Sequence, residues 1–201
     1  VIDDLSLGQV LGKRAQLGFV VRDLEANLKL WTEIFKVGPF VLFEESLGNR
    51  KFIHRNRQSD VRFSIALSYL GDLQIELMSP LNDAPSPYSE FLNQGNEGLH
   101  HVGFWPRDYE ASCRTLVSAG FSEVSSIITQ EGEKSISYFE GPKALGTMIE
   151  LVPMTEERVK YFSKIQELTR RWDGDKGVLR FKNRTEFLQS AEYAVLNDIS
   201  K

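Results

Sequence analysis

Four residues of this chain have the types and positions that suit a divalent cation. Glu76 lies within Ile75-Glu76-Leu77 and Glu150 within Ile149-Glu150-Leu151. A β-strand alternates its faces, so each glutamate points away from the aliphatics that flank it. A carboxylate in such a strand is costly if it faces a dry core. Two of them at matching places imply a shared partner, and a cation is the simplest one. The strand Leu99-His100-His101-Val102 adds an imidazole, and alternation lets only one of its two histidines face a given cleft. Gln16 adds an amide oxygen. Singly, each has an ordinary reading: a glutamate on a solvated face, a structural or surface histidine, an uninformative glutamine. Their common register makes them one observation.

That register comes from an internal duplication. Residues 16–26 read QLGFVVRDLEA and residues 101–111 read HVGFWPRDYEA, with six identities in eleven positions at an offset of 85. Gln16 falls opposite His101, which selects His101 over His100. Each segment runs into a helical pattern, Leu24, Leu28, Trp31 and Phe35 in the first and Tyr109, Cys113, Leu116 and Val117 in the second. Asp23 and Asp108 stand where a helix N-cap is wanted. The similarity returns in the two Ile-Glu-Leu strands, which Pro80 and Pro153 follow and end.

Between these brackets the pattern is that of strands. Phe40–Glu45 and Val61–Tyr69 alternate apolar and polar residues, with Lys51–His54 adding to the second strand; Ser122–Ile128, Ser135–Phe139 and Met148–Val152 match them. Gly71-Asp72 and Gly141-Pro142 mark turns. The order is β, α, β, β, β, twice. The chain divides into an N-terminal segment 1–14, a first module 15–80, a linker 81–98 with a short helix at Tyr88–Asn93, a second module 99–154 and a helical extension 155–201. In the extension, Val159, Phe162, Ile165, Leu168 and Trp172 recur at helical spacing. So do Phe187, Leu188, Ala191 and Val195, with WDGDKG as a turn between the two runs. These helices are expected to pack on the sheet or on a partner subunit.

Composition excludes several function classes. The 201 residues are 41% hydrophobic and 26% charged, with a net charge of −4, a balance typical of a globular protein with a sizeable core. Basic residues occur in short clusters flanked by acidic ones, so nucleic acid is not an expected partner. No run approaches the ~18 apolar residues of a membrane span, and no signal peptide is visible in VIDDLSLGQVLGKRAQ. The single cysteine, Cys113, rules out an intrachain disulfide and a cysteine-based zinc site. A reducing, cytoplasmic compartment fits best.

Over about residues 14–154 the chain resembles the vicinal oxygen chelate superfamily, which includes glyoxalase I, methylmalonyl-CoA epimerase, extradiol dioxygenases and bleomycin-resistance proteins. The resemblance rests on QLGFVVRDLEANLKLWTEIFKVGPF, IELMSPLNDAPSPYSEFLNQGNEGLHHVGF and GTMIELVP. The middle segment, with its Ser-Pro linker, FL helix and GLHH strand, is similar to the epimerase branch. The resemblance implies an α+β fold in which two tandem βαβββ modules form a cupped mixed sheet around a metal site, with the C-terminal helices lying outside that core. It also implies a homodimer. Its ligand positions are Gln16, Glu76, His101 and Glu150. Epimerases usually carry His, Gln, His and Glu there. The set found here resembles that of animal-type glyoxalase I.

Four functions follow as expectations. The first is an epimerase or isomerase that shifts a proton next to a carbonyl of an acyl-CoA or keto compound, with Glu150 as the first candidate base and Glu44 and Glu45 as the others. The second is a glyoxalase I-like lyase acting on a thiol adduct. Glyoxalase I, however, has an Arg four residues after the first ligand and an Asn four residues after the second, where this chain has Val20 and Pro80. The third is an extradiol dioxygenase, whose two-histidine iron site would require His54, a residue expected at the surface. The fourth is a metal-free sequestering protein. An oxygen-rich set with one imidazole admits zinc, cobalt, nickel, manganese or iron. Phe40, Phe43, Phe63, Phe104 and Phe139 are candidates to line an apolar cup for a small-molecule substrate. Arg50, Lys51, Arg55 and Arg57 could supply a basic rim.

Overall fold

A computed structural model describes residues 11–194, with only the backbone of Lys13 and Arg14; residues 1–10 of the N-terminal segment and Val195 of the last helical run lie outside this range. The first half contains β1 (Lys13–Val20), α1 (Leu24–Lys29), β2 (Phe40–Phe43), β3 (Lys51–His54), β4 (Arg57–Ser59), β5 (Phe63–Leu70) and β6 (Leu73–Pro80). A linker helix, α2 (Pro87–Asn93), leads to the second half: β7 (Gly98–Trp105), α3 (Tyr109–Ser118), β8 (Ser122–Ile128), β9 (Lys134–Glu140) and β10 (Met148–Leu151). The extension holds α4 (Glu156–Arg170), β11 (Val178–Phe181), α5 (Arg184–Gln189) and α6 (Ala191–Ala194).

The duplicated segments start their helices in the same way. Asp23 accepts from the Ala26 amide and Asp108 from the Ala111 amide, both at 2.9 Å. Each cap satisfies an amide that the first helical turn leaves without a partner. Ser86 and Ser89 form a reciprocal capping box on α2.

All strands join one mixed sheet in the order β11-β2-β5-β6-β1-β7-β10-β9-β8-β3-β4. Each half contributes four strands in the same order, first-fourth-third-second. The two halves meet along the antiparallel seam of β1 and β7. Alternation divides each strand between two layers. Phe40, Leu42, Ile75 and Leu77 pack with Leu28 of α1 on the outer face, and Phe139, Ile149 and Leu151 pack with Cys113 and Leu116 of α3. On the inner face, Val41, Phe43, Leu67 and Tyr69 are covered by Tyr161 and Ile165 of α4 and Phe187 of α5. In the second half, Val124, Ile127 and Tyr138 are covered by Phe52 of β3 and by Tyr88 and Leu92 of α2. Each fully buried aliphatic or aromatic side chain contributes roughly 1.5–3 kcal/mol, so these four clusters account for most of the drive to fold.

The structure differs from the sequence reading at two elements. Lys51–His54 does not extend the strand at Val61–Tyr69. It is one arm of a separate hairpin, β3–β4, that crosses to the second half and pairs with β8, Phe52 opposite Ile127. The turn WDGDKG leads into an unanticipated strand, β11, which pairs parallel with β2, Phe181 opposite Phe43. The hairpin and the tail thus each cover one outer edge of the eight-stranded core, edges that would otherwise expose unpaired backbone. No helix among the described residues is long and apolar enough to cross a membrane.

Candidate metal centre

The seam between the halves carries the four donor positions. Along it, Gln16 is opposite Gly103 and Gly18 is opposite His101. On the far side of β1, Gly18 is opposite Glu76; on the far side of β7, Gly103 is opposite Glu150. The donors therefore form two rows, Glu76–Gly18–His101 and Gln16–Gly103–Glu150, each with a glycine at its centre. A Cβ on Gly18 would lie 1.9 Å from the His101 ring, and one on Gly103 would lie 2.6 Å from Gln16 Oε1 and 3.0 Å from Glu150 Oε2. Gly18 and Gly103 are identical in the two copies. The duplication displayed them as a repeat but not as the clearance that lets four side chains converge.

Convergence is close. His101 Nε2 is 3.2 Å from Glu76 Oε2 and 3.7 Å from Glu150 Oε2. Glu76, His101 and Glu150 are buried, with potential ligand atoms all within 4.8 Å of one another. Gln16 Oε1, Glu76 Oε2, His101 Nε2 and Glu150 Oε2 are each buried without a hydrogen-bond partner. An unsatisfied buried polar atom costs about 1–3 kcal/mol. Four of them aimed at one point fit a cation and fit nothing apolar. These residues therefore suit a divalent metal of the kind the superfamily uses.

Neighbouring groups fix the orientation of two donors. The Gln16 amide nitrogen donates to Gln74 Oε1 at 2.8 Å, and Gln74 in turn donates to the Tyr69 hydroxyl at 2.9 Å, which leaves Gln16 Oε1 for the centre. His101 Nδ1 is 3.0 Å from His100 Nδ1. Burial and the adjacent His101 push His100 down to about 3, so it is neutral and can accept from His101 Nδ1–H. His101 Nε2 then keeps its lone pair for a metal. Burial pushes the Glu150 carboxyl up to about 7, against the pull of His101 and with the help of Glu76. Burial opposes a charged His101, but Glu150 and Glu76 outweigh it and raise the proton affinity of the ring.

Gln16, Glu76 and Glu150 open onto a cavity that offers ≈ 70 Å³ to the centres of water-sized molecules, room for on the order of five waters. Phe43, Phe63, Leu67, Met78, Ile136 and Val152 give it apolar walls. Of the five phenylalanines that could line a cup, Phe43 and Phe63 do; Phe40, Phe104 and Phe139 point into the outer clusters. Arg50 is not part of a solvated rim: it lines the cavity, together with Arg158, Tyr161 and Phe162 of α4 and Arg184 of α5. The place of the extension in the cavity wall is not visible in its helical periodicity alone.

Three further candidates lie elsewhere. Glu44 and Glu45 are exposed and do not line this cavity. Strand β2 ends at Phe43, the chain then follows the tail through Glu44 N to Phe181 O and Glu45 N to Lys182 O, and Ser46 reaches the cavity instead. His54 is buried rather than at the surface, 2.7 Å from Ser125 Oγ and 3.0 Å from Glu90 Oε1, and it belongs to the hairpin clasp and not to the donor group.

Comparison with known proteins agrees with this architecture. The chain is 24% identical over 119 residues to the uncharacterized protein YqjC of Bacillus subtilis (strain 168), a match spanning 59% of this chain and 84% of that one. Among solved structures it is similar to methylmalonyl-CoA epimerase from Mycobacterium tuberculosis, with a TM-score of 0.53, 24% identity, and coverage of 78% of this chain and 97% of the epimerase. It is also similar to hypothetical protein BH1468 from Bacillus halodurans C-125, with a TM-score of 0.53, 18% identity, and coverage of 72% and 95%. At these identities the structural matches establish the fold. A family model matches residues 15–139, and the chain belongs to the glyoxalase/bleomycin resistance protein/dioxygenase superfamily.

Proposed function

We propose that the protein is a metal-dependent enzyme that moves a proton on a carbon next to a carbonyl, an epimerase or isomerase of a keto or acyl compound. The observation that carries this reading is the set of four buried donor atoms without hydrogen-bond partners, on Gln16, Glu76, His101 and Glu150, with Gln16, Glu76 and Glu150 opening onto a cavity. A divalent ion held there would chelate two substrate oxygens and stabilise a developing enolate, a Lewis-acid effect worth several kcal/mol.

The chain's own groups supply the rest. Glu150 is the base: it lines the cavity at the donor group, and a ligand carboxylate that loosens from the metal can take and return a proton, a role worth ~10²–10⁴-fold. With Glu44 and Glu45 outside the cavity, Glu150 is the remaining carboxylate of the three candidates. Tyr88 and Tyr138 are hydrogen-bonded to each other at 3.1 Å, and burial raises both well above the usual phenol range, so they keep their protons. The apolar walls restrict water, which strengthens charge interactions within the site. The partner is a small molecule, and the assembly expected for this family is a homodimer.

The test has two parts. Protein purified without chelator and incubated with zinc, cobalt, nickel, manganese or iron should hold about one ion per chain; less than ~0.2 for every metal would sink the reading. Loaded enzyme in D₂O should then place deuterium next to the carbonyl of a keto or acyl substrate, and Glu150→Gln should stop it. A second reading, a lyase acting on a thiol adduct, is favoured by the identity of the donors, with Gln16 and Glu76 at the first two positions. Turnover of a hemithioacetal without exchange into ketones would select it.

A further inference from the structure

The cavity has a second polar wall that the metal reading leaves unused. Arg50, Arg158 and Arg184 all line it. Arg50 donates through Nε to Leu47 O at 3.0 Å and through Nη2 to Ser46 O at 2.6 Å. Arg158 donates through Nη1 to Pro153 O at 2.6 Å and Ser135 O at 3.2 Å, and through Nη2 to Ser135 Oγ at 2.9 Å. These partners are carbonyls and a hydroxyl. Among the described residues no carboxylate forms an ion pair with either guanidinium. Each guanidinium has five N–H donors in a rigid fork, so both retain spare ones. Arg184 is paired with Glu157 at 2.7 Å and lies over the Tyr161 ring at 4.5 Å, but its Nε is buried without a partner. All three arginines are half-buried, and a cation partly withdrawn from water without a counter-charge is costly. Burial lowers Arg50 and lowers Arg158 to about 10, and mutual repulsion with Arg184 adds to both shifts.

We propose that Arg50, Arg158 and Arg184 form a carboxylate-binding subsite facing the metal centre. On the function proposed above, on which this inference rests, the substrate then carries a carboxylate in addition to the oxygens chelated at Gln16, Glu76, His101 and Glu150. Charge balance supports this class. A divalent ion cancels ionised Glu76 and Glu150, and Glu157 offsets Arg184, so Arg50 and Arg158 are left as two positive charges. A substrate carboxylate supplies one negative charge to this wall, and the proton that passes to Glu150 as the enolate forms leaves the total charge of the site unchanged, so the arginines serve to bind and orient the substrate. Two of the three arginines come from the extension after residue 154, beyond the residues that the family model matches. The acid specificity is thus a feature of this chain added to the common scaffold.

Binding of 2-oxoglutarate and 2-oxopentanoate to the zinc-loaded full chain, measured by titration calorimetry, tests the proposal. Both present a 2-oxo acid for chelation, and only the first has a distal carboxylate. The wild-type protein should prefer 2-oxoglutarate by about tenfold or more, the scale of one charge-assisted hydrogen bond. Arg158→Gln and Arg50→Gln should each bring that preference near unity, with zinc still at one per chain, and Arg158→Lys should restore part of it. A wild-type preference below about twofold would overturn the subsite regardless of how any variant folds. So would an unchanged preference in both glutamine variants. Absence of zinc binding would instead count against the proposed function. The subsite would then be read on the metal-free chain with the same pair of acids and the same criteria.

Discussion

The two halves run the same path and contribute two donors each, but they are completed by different parts of the chain. In the second half the inner face is closed by Phe52 of the hairpin and Tyr88 of the linker helix, both of which precede it in sequence. In the first half the inner face is closed by Tyr161, Ile165 and Phe187, which lie at the far end of the chain. The hairpin brings no cation into the cavity beyond Arg50 in the loop before it, whereas the tail brings Arg158 and Arg184. A duplicated scaffold can therefore keep its four donor positions constant at the seam while different segments close the inner face of each half.

If the seam is where the halves are truly equivalent, damage to either glycine should remove the metal. Gly18→Ala should reduce bound metal from about one per chain to below ~0.2, because the new methyl meets the buried His101 ring at 1.9 Å. Gly103→Ala should lower it as well, since its methyl would lie 2.6 Å from Gln16 Oε1 and 2.9 Å from Gln16 Cβ, an atom that cannot swing clear. Elemental analysis of both variants reads the loss. A Gly18→Ala protein with full metal content would break the equivalence.

The covers should be energetically comparable even though they are chemically different. Phe187→Ala, in the first half's cover, and Phe52→Ala, in the second's, should each cost about 3–5 kcal/mol by urea unfolding, the usual range for a buried phenylalanine. Both side chains are fully buried. A loss below ~1 kcal/mol for Phe187→Ala would show that the tail is an appendage and not a structural cover.

A smaller effect separates the groups that orient the donors. Gln74 holds Gln16 within the first half and His100 holds His101 within the second. Gln74→Leu and His100→Leu should each weaken metal binding by about 10–100-fold, typical for an orienting partner of a ligand, and leave stoichiometry at saturation intact. A competition titration with a chelating dye measures both.

The smallest effect concerns the clasp that fastens the hairpin. Hydrogen bonds from Arg55, and then from His54, hold the Glu90 carboxyl down to about 2. A depressed carboxyl contributes stability above its ordinary range near 4.5, and that contribution is lost as pH falls toward 2. Glu90 is 36% exposed, so solvent screening limits the gain to below about 1 kcal/mol. Urea midpoints of the wild type and Glu90→Gln should converge as pH drops from 5 to 3, and parallel curves would remove the clasp from the account.

The parts of this molecule that were legible in the sequence are those whose signal is local or repeated. The duplication located both modules, aligned Gln16 with His101 and placed each glutamate opposite its aliphatic neighbours, and the structure brings these four together. The hairpin was missed because its defining contact, Phe52 against Ile127, joins segments with no local pattern in common. A trace of it was present: Gln16 to Glu76 is eleven residues longer than His101 to Glu150, so the first half carries an insertion. Strand β11 was missed because four residues beside a turn carry little periodicity, and its pairing with β2 supplies the rest. The sequence pattern carries the second strand through Glu45, two residues past the point where β2 stops, so Glu44 and Glu45 fall outside the cup. The arginine wall was illegible for the same reason as the hairpin, since Arg50, Arg158 and Arg184 meet only in three dimensions.

The pairing of β11 with β2 also orders events in time. A chain emerging from the ribosome presents β2 early, but the strand that covers its outer edge arrives only with Val178–Phe181. Strand β3 waits only until Ser122–Ile128 for β8. The half that is translated first is therefore completed last, with an open edge and an uncovered apolar face during most of synthesis, the condition in which nascent chains most need protection from one another. A chain stalled after residue 154 would hold a finished second cup beside an open first one.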